Sequence, residues 1–335
     1  MKYNLYALIF IGFIFISCKK ESTEKFSEKS AYELVNPFIG TGGHGHTFPG
    51  ATLPFGMVQL SPDTRLTGWD GCSGYHNSDS IIYGFSHTHL SGTGISDYGD
   101  ILLMPFNHSE KISIEDIENQ QLIPSEFKKE TESANPGYYK VLLDKSNIDV
   151  ELTATTRVGI HKYTFNKETA NKILLDLNHR DKVLSSEINI ENNSSISGFR
   201  QSEAWATNQY VYFYMEFSEP FLVDTIRNDS NKETEKLYKV VAFNKGLKEV
   251  IVKVGISAVS VEGAKENLKR EASSWDFSSY KESAKTVWTK ALNKIEVKDK
   301  NEEKLTVFYS ALYHTMIAPN TFSDVNGNYR GMDQK

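Results

Sequence analysis

The 335-residue sequence has only two cysteines, Cys18 and Cys72. That excludes a disulfide framework, so the fold must be held by a packed core. Long apolar runs are also missing. The longest, Leu5 to Ile16, is interrupted by Tyr6 and Gly12 and falls short of the ~20 apolar residues a membrane-spanning helix needs. There is no basic excess: 37 Lys and Arg stand against 43 Asp and Glu, a net charge of −6, which argues against nucleic-acid binding. The glycine-rich stretch from Gly40 to His46 lacks the Gly-Lys-Ser/Thr and the following helix of a phosphate-binding loop, and the turn signals Pro49-Gly50 and Pro54-Phe55-Gly56 follow instead. What is present is a real core supply, since 39% of residues are hydrophobic and 12% aromatic. Global disorder is therefore excluded.

The N-terminus reads as an address. Lys2, the short apolar run and Ser17-Cys18 have the order of a secretory signal, and a small residue before Cys resembles a bacterial lipobox with Phe15 in place of the usual Leu. Residues 1–18 are expected to be a lipoprotein signal peptide, with Cys18 the lipidated residue. The alternative is a plain signal peptide with an incidental Cys. Residues 19–30, rich in Lys, Glu and Ser, read as a flexible tether. The expected location is an exported bacterial lipoprotein, periplasmic or anchored at the outer membrane or cell surface.

In the mature chain, strand patterns dominate up to residue 260. Val211, Phe213, Met215 and Phe217 alternate with Tyr210, Tyr212, Tyr214 and Glu216. Val250, Val252, Val254 and Ile256 repeat the pattern, as do Ile173, Leu175 and Leu177. Turn-rich spacing suggests a two-sheet sandwich over 31–260. Beyond Ser260 the period becomes helical. Ala264, Leu268, Glu271 and Trp275 share a face. So do Ala284, Val287, Trp288, Ala291, Leu292 and Ile295, and so do Leu305, Phe308, Tyr309, Leu312, Tyr313 and Met316. The third stripe has no evident partner in the nineteen residues after Met316, which predicts an unfinished helical domain.

Five of the nine histidines fall between His44 and His89. A His-x-His pair such as His44/His46 makes zinc one reading, yet no carboxylate or cysteine at a fixed spacing completes the set. The other reading is loop histidines that bond backbone or sugar hydroxyls. Gly68-Trp69-Asp70-Gly71 suits a carbohydrate, because an indole stacks on a pyranose face and a carboxylate accepts hydroxyl hydrogens. A core Trp between turn glycines is the plainer alternative. Cys72 shows no activating partner. Asp70, Asp97 and Asp100 together make a calcium site or a carboxylate pair one option, although their spacing is not that of an EF-hand.

Taken in order, a set of short motifs resembles glycoside hydrolase family 92. They are Val35-Asn36-Pro37-Phe38-Ile39-Gly40-Thr41, Phe48-Pro49-Gly50-Ala51, Pro54-Phe55-Gly56-Met57, Gly68-Trp69-Asp70 through Tyr75-His76, His89-Leu90-Ser91-Gly92-Thr93-Gly94, Asp97-Tyr98-Gly99-Asp100, Thr156-Arg157-Val158-Gly159, Phe308 through Thr315, and Tyr329-Arg330-Gly331-Met332-Asp333. The resemblance implies a mainly β fold: a two-sheet antiparallel β-sandwich over 31–260, linker helices over 261–300, and over 301–335 the first helix of a truncated (α/α)6 barrel. It implies a calcium-dependent, inverting exo-α-mannosidase acting on an α-mannoside glycan, mannan or N-glycan. Its catalytic carboxylates and main calcium ligands would lie beyond Lys335, leaving this chain inactive alone. No catalytic residue is therefore assigned here. The residues it points to are Trp69 for stacking, Asp70 and Asp333 for hydroxyls, with His44 and His89 at the domain interface. A non-catalytic carbohydrate-binding lipoprotein and a purely structural surface lipoprotein are the competing readings.

Overall fold

The computed structural model describes residues 26–227 and 236–334. The expected signal peptide, Cys18 and residues 19–25 of the expected tether lie outside the described residues. No helix among the described residues is long and apolar enough to cross a membrane.

Two antiparallel sheets form the body. In spatial order, the seven-stranded sheet is Ala51–Thr52, Gln59–Asp63, Gly84–Ser86, Leu102–Asn107, Asn171–Asp176, Tyr238–Ala242 and Leu222–Asp224. The eight-stranded sheet is Lys182–Asn192, Ser195–Glu203, Gln209–Phe217, Glu249–Ser257, Val158–Phe165, Ile148–Ala154, Tyr138–Leu143 and Ser133–Asn135. The alternation read from the sequence decides which side chains enter the core. Val211, Phe213, Met215 and Phe217 are buried together with Val250, Val252, Val254, Ile256, Ile173 and Leu175. Each such side chain removed from water contributes about 1.5–3 kcal/mol.

The opposite face of the eight-stranded sheet is not simply polar. Tyr214 and Ile251 are buried beneath Ala264, Leu268 and Phe277. A helix lies there because the strand next to Tyr214 offers it room. A Cβ on Gly255 would stand 2.9 Å from the Leu268 Cβ.

Five α-helices occur among the described residues: α1 (Ala31–Leu34), α2 (Ile114–Glu118), α3 (Val261–Glu271), α4 (Phe277–Leu292) and α5 (Glu302–His314). The last three start where a side chain satisfies free N–H groups. Ser260 accepts from Gly263 N at 3.0 Å, Asp276 from Ser278 N at 3.0 Å, and Asn301 from Lys304 N at 3.1 Å. Helical spacing overran all three helix ends. Trp275 follows α3 and sits over the Lys253 ammonium, 3.7 Å from the ring centre, while Ile295 lies past α4 and Met316 past α5.

The stripe on α5 does find a partner, contrary to expectation. Leu305, Tyr309 and Tyr313 are buried against Trp288, Leu292, Phe48, Tyr75 and the N-terminal residues Ala31, Tyr32, Leu34 and Val35. The sequence hid much of this because the N-terminal part of the partner surface sits some 270 residues upstream. The end of the expected tether joins in as well. Ser30 caps α1 by accepting from Glu33 N, and Lys29 pairs with Glu302 at 2.5 Å. Residues 318–334 then return along the sandwich, where Arg157 holds them by donating to Ser323 O at 2.6 Å while pairing with Glu271 of α3 at 2.6 Å.

Candidate functional site

The loop of residues 40–46 and the single 3-10 turn Trp69–Gly71 meet at the surface. The loop is folded tightly. Gly45 N donates to Gly42 O, His76 Nε2 bonds Gly43 O at 3.1 Å, and Gly92 N donates to His46 O at 2.7 Å. A Cβ on Gly45 would run into the Gly40 backbone, so only glycine permits this approach. His46 itself takes a positive φ of 52°. The result is that both imidazoles reach one carboxylate. His44 Nδ1 lies 2.7 Å and His46 Nε2 lies 3.2 Å from Asp70 Oδ1. Those two hydrogen bonds, His44 first, hold the Asp70 carboxyl below its ordinary range, so it is ionised at neutral pH.

Trp69 stands over this group. Its ring is 4.9 Å from that of His44 and edge-on to that of His46 at 4.3 Å, yet the residue is 58% exposed. A core tryptophan is thereby ruled out. A Cβ at Gly94 would stand 2.7 Å from Trp69 Nε1, so the absent side chain at 94 leaves the indole its place. The site thus offers a flat apolar face, an ionised carboxylate and two imidazoles, which is the chemistry that recognises a sugar ring and its hydroxyls.

The structure brings Trp69, Asp70 and His44 together, and adds His46. The other expected residues go elsewhere. His89, expected at the sugar, is buried. Its Nδ1 bonds Gln59 O at 2.8 Å, and its Nε2 lies 3.2 Å from both Asp63 Oδ1 and Ser86 Oγ. Burial alone would raise the Asp63 carboxyl, but the charges of His89 and His179 and their hydrogen bonds hold it well below the usual range. Asp97 and Asp100 do not join Asp70. Asp97 accepts from Ala206 N at 3.0 Å, and Asp100 is tied to Arg200, Thr88 and Gln209. Asp333 is exposed in the C-terminal segment, between Met332 and Gln334. Those two neighbours, with Arg330, Tyr210, Gln59 and Asn208, help line a cavity of about 290 Å³ that does not include Trp69, Asp70 or Asp333. None of its lining residues is a carboxylate.

A family model described as the glycosyl hydrolase family 92 N-terminal domain matches residues 34–257, and one described as the family's catalytic domain matches residues 263–335. Among solved structures, a family GH92 α-mannosidase from Bacteroides thetaiotaomicron is 33% identical with a TM-score of 0.81, covering 92% of this chain and 44% of its own. That enzyme has also been solved in complex with mannoimidazole. A GH92 inverting mannosidase from Bacteroides thetaiotaomicron VPI-5482 is 27% identical with a TM-score of 0.77, covering 91% of this chain and 43% of its own. An uncharacterized secreted glycosidase of Arthroderma benhamiae is 26% identical over 339 residues, which are 89% of this chain and 43% of that protein. The chain therefore spans less than half the length of these relatives. Most of the motifs that led to the resemblance lie within the N-terminal family match, that match runs through nearly all of the sandwich, and on those grounds the chain belongs to glycosyl hydrolase family 92.

Proposed function

We propose that this chain supplies the sugar-binding surface of an exo-acting α-mannosidase, with Trp69 stacking on a mannose ring and Asp70 accepting its hydroxyl hydrogens. The observation that carries the reading is the exposed indole of Trp69 set beside an ionised carboxylate. The α-mannosidase relatives support it, one of them solved with mannoimidazole bound.

Hydrolysis with inversion needs a protonated acid on one side of the glycosidic bond and a base carboxylate on the other, about 6.5–9.5 Å apart. Asp70 is held ionised by His44 and His46, so it does not serve as the acid. The chain alone is accordingly proposed to bind α-mannosides without cleaving them. Calcium, which the family resemblance implies, does not fit the one ligand cluster found among the described residues: calcium takes six to eight oxygen ligands, and this cluster is two imidazoles and one carboxylate. No step is assigned to it.

Calorimetric titration of α-mannobiose into the chain and into Trp69→Ala tests the reading. Saturable heat that weakens several-fold in the variant supports it, and equal affinity in both overturns it. Mannose released by the chain alone, with or without calcium, would overturn the proposed inactivity. Export is supported by the secreted relative. Anchoring through Cys18 predicts that Cys18→Ala moves the protein from the detergent phase to the aqueous phase.

A further inference from the structure

His44, His46 and Asp70 form, among the described residues, the one group of three or more His, Cys, Asp or Glu side chains whose ligand atoms all lie within 4.8 Å of each other. From this convergence we propose a site for a first-row transition metal of the zinc class, held by His44 Nδ1, His46 Nε2 and the Asp70 carboxylate. The proposal shares Asp70 with the mannosidase reading without resting on it, and it uses a different ion from the calcium that the resemblance implies.

Donor chemistry selects the ion. Imidazole nitrogens suit zinc, copper, nickel and iron, whereas calcium and magnesium favour carboxylate, carbonyl and water oxygens. Geometry permits it. With zinc–nitrogen and zinc–oxygen distances near 2.1 Å, neighbouring ligand atoms of a tetrahedron stand roughly 3.4 Å apart. Here the Asp70 oxygen is 2.7 Å from one imidazole nitrogen and 3.2 Å from the other, and no ligand pair exceeds 4.8 Å. Small side-chain rotations bring all three to bonding distance.

The ligands sit on prepared backbone. The His46 side chain is only 5% exposed, its own carbonyl is bonded by Gly92 N, and its ring is braced by the edge-on indole of Trp69. Asp70 lies inside a turn closed by Gly71 N to Gly68 O at 3.1 Å and Cys72 N to Trp69 O at 3.3 Å. His44, with a 70% exposed side chain, is the movable member that can close on an ion. Three protein ligands on a solvent-facing surface leave a coordination position for water, as in open zinc sites. Without metal, the same three groups satisfy one another through two hydrogen bonds to one oxygen. Loading therefore exchanges those bonds for metal bonds and needs no refolding of the loop.

The test uses the intact chain, stripped with a chelator and dialysed. Zinc chloride is titrated calorimetrically, and cobalt chloride is followed by its visible d–d absorption. The expected result is one equivalent of saturable zinc binding, a cobalt spectrum of low coordination number, and no competition from calcium chloride. His44→Ala alters only a surface side chain and is expected to weaken zinc binding by at least about tenfold. Asp70→Asn is expected to do the same, with far-ultraviolet circular dichroism unchanged in both. Trp69→Ala is expected to keep the metal. Absence of stoichiometric binding in the parent chain overturns the proposal, and so does binding that His44→Ala and Asp70→Asn leave intact. No sugar enters this experiment and no metal enters the mannobiose titration, so each reading fails separately.

Discussion

The Nε2 atoms of His87 and His161 face each other at 3.0 Å, His87 just past the Gly84–Ser86 strand of one sheet and His161 on the Val158–Phe165 strand of the other. Both are fully buried. The chain of bonds around them dictates every proton. A carbonyl only accepts, so His87 Nδ1 donates to Ile101 O at 2.6 Å, and the Nε2 of a neutral His87 must accept. His161 Nε2 then donates, and its Nδ1 accepts from Tyr163 OH at 2.8 Å.

Acid should therefore loosen the sandwich. Burial pushes His87 down to about 4 and His161 well below 6.5. The unfolded chain takes up protons as pH falls below about 6.5, while the folded chain resists until about 4, so stability is full above that window and lost through it. Urea unfolding followed from about pH 7 to about pH 4 should show a falling midpoint. A flat midpoint would mean that the pair is charged when folded. Asp63, with its depressed carboxyl, adds a second loss below that window.

Gly94→Ala should act on ligand binding without acting on the fold. The new methyl meets Trp69 Nε1 and turns the indole. Sugar affinity is expected to drop roughly 2- to 10-fold, the range of one aromatic contact. Calorimetry measures that drop, and an unchanged melting temperature separates it from unfolding.

Trp288 joins α4 to the sandwich. It is fully buried, packs on Tyr313 with ring centres 4.7 Å apart, and donates Nε1 to Thr52 O at 2.7 Å. Trp288→Ala should cost about 3–5 kcal/mol in denaturant unfolding. Trp288→Phe keeps much of the packing but orphans the Thr52 carbonyl, for about 1–3 kcal/mol.

Arg157→Ala breaks the pair with Glu271 and frees Ser323 O. The expected loss is about 2–4 kcal/mol, since the pair is largely but not wholly buried. Hydrogen exchange should quicken in residues 318–334. Arg157→Lys should rescue little, because a single ammonium does not reproduce the forked contacts.

Much of the scaffold was legible because it rests on local rules. The alternation at 210–217 and at 250–256 placed the correct side chains inward, and the switch to helical spacing after Ser260 coincided with the end of the last strand at Ser257. The site was half legible. Trp69 and Asp70 stood out by composition, and the His-x-His pair suggested a metal that lacked its third ligand. The carboxylate that meets both imidazoles is Asp70, 24 residues beyond His46, brought in by loop closure that no spacing rule encodes. His89 misled for the opposite reason. Its Ser, Gly and Thr neighbours look like an exposed loop, yet neighbours along the chain do not say which way a ring points, and Asp63 and Gln59 draw it inward.

The cluster that unites Tyr32 and Leu34 with Trp288, Tyr309 and Tyr313 also orders events in time. The first of these residues leave the ribosome long before the last, roughly 14–56 s at ordinary elongation rates of about 5–20 residues per second. For that interval the N-terminal segment has Phe48 and Tyr75 but lacks its helical partners on α4 and α5. Closure is a contact of very long sequence separation, so it is slow to find and completes late. The two extremities of this cluster finish folding as one step.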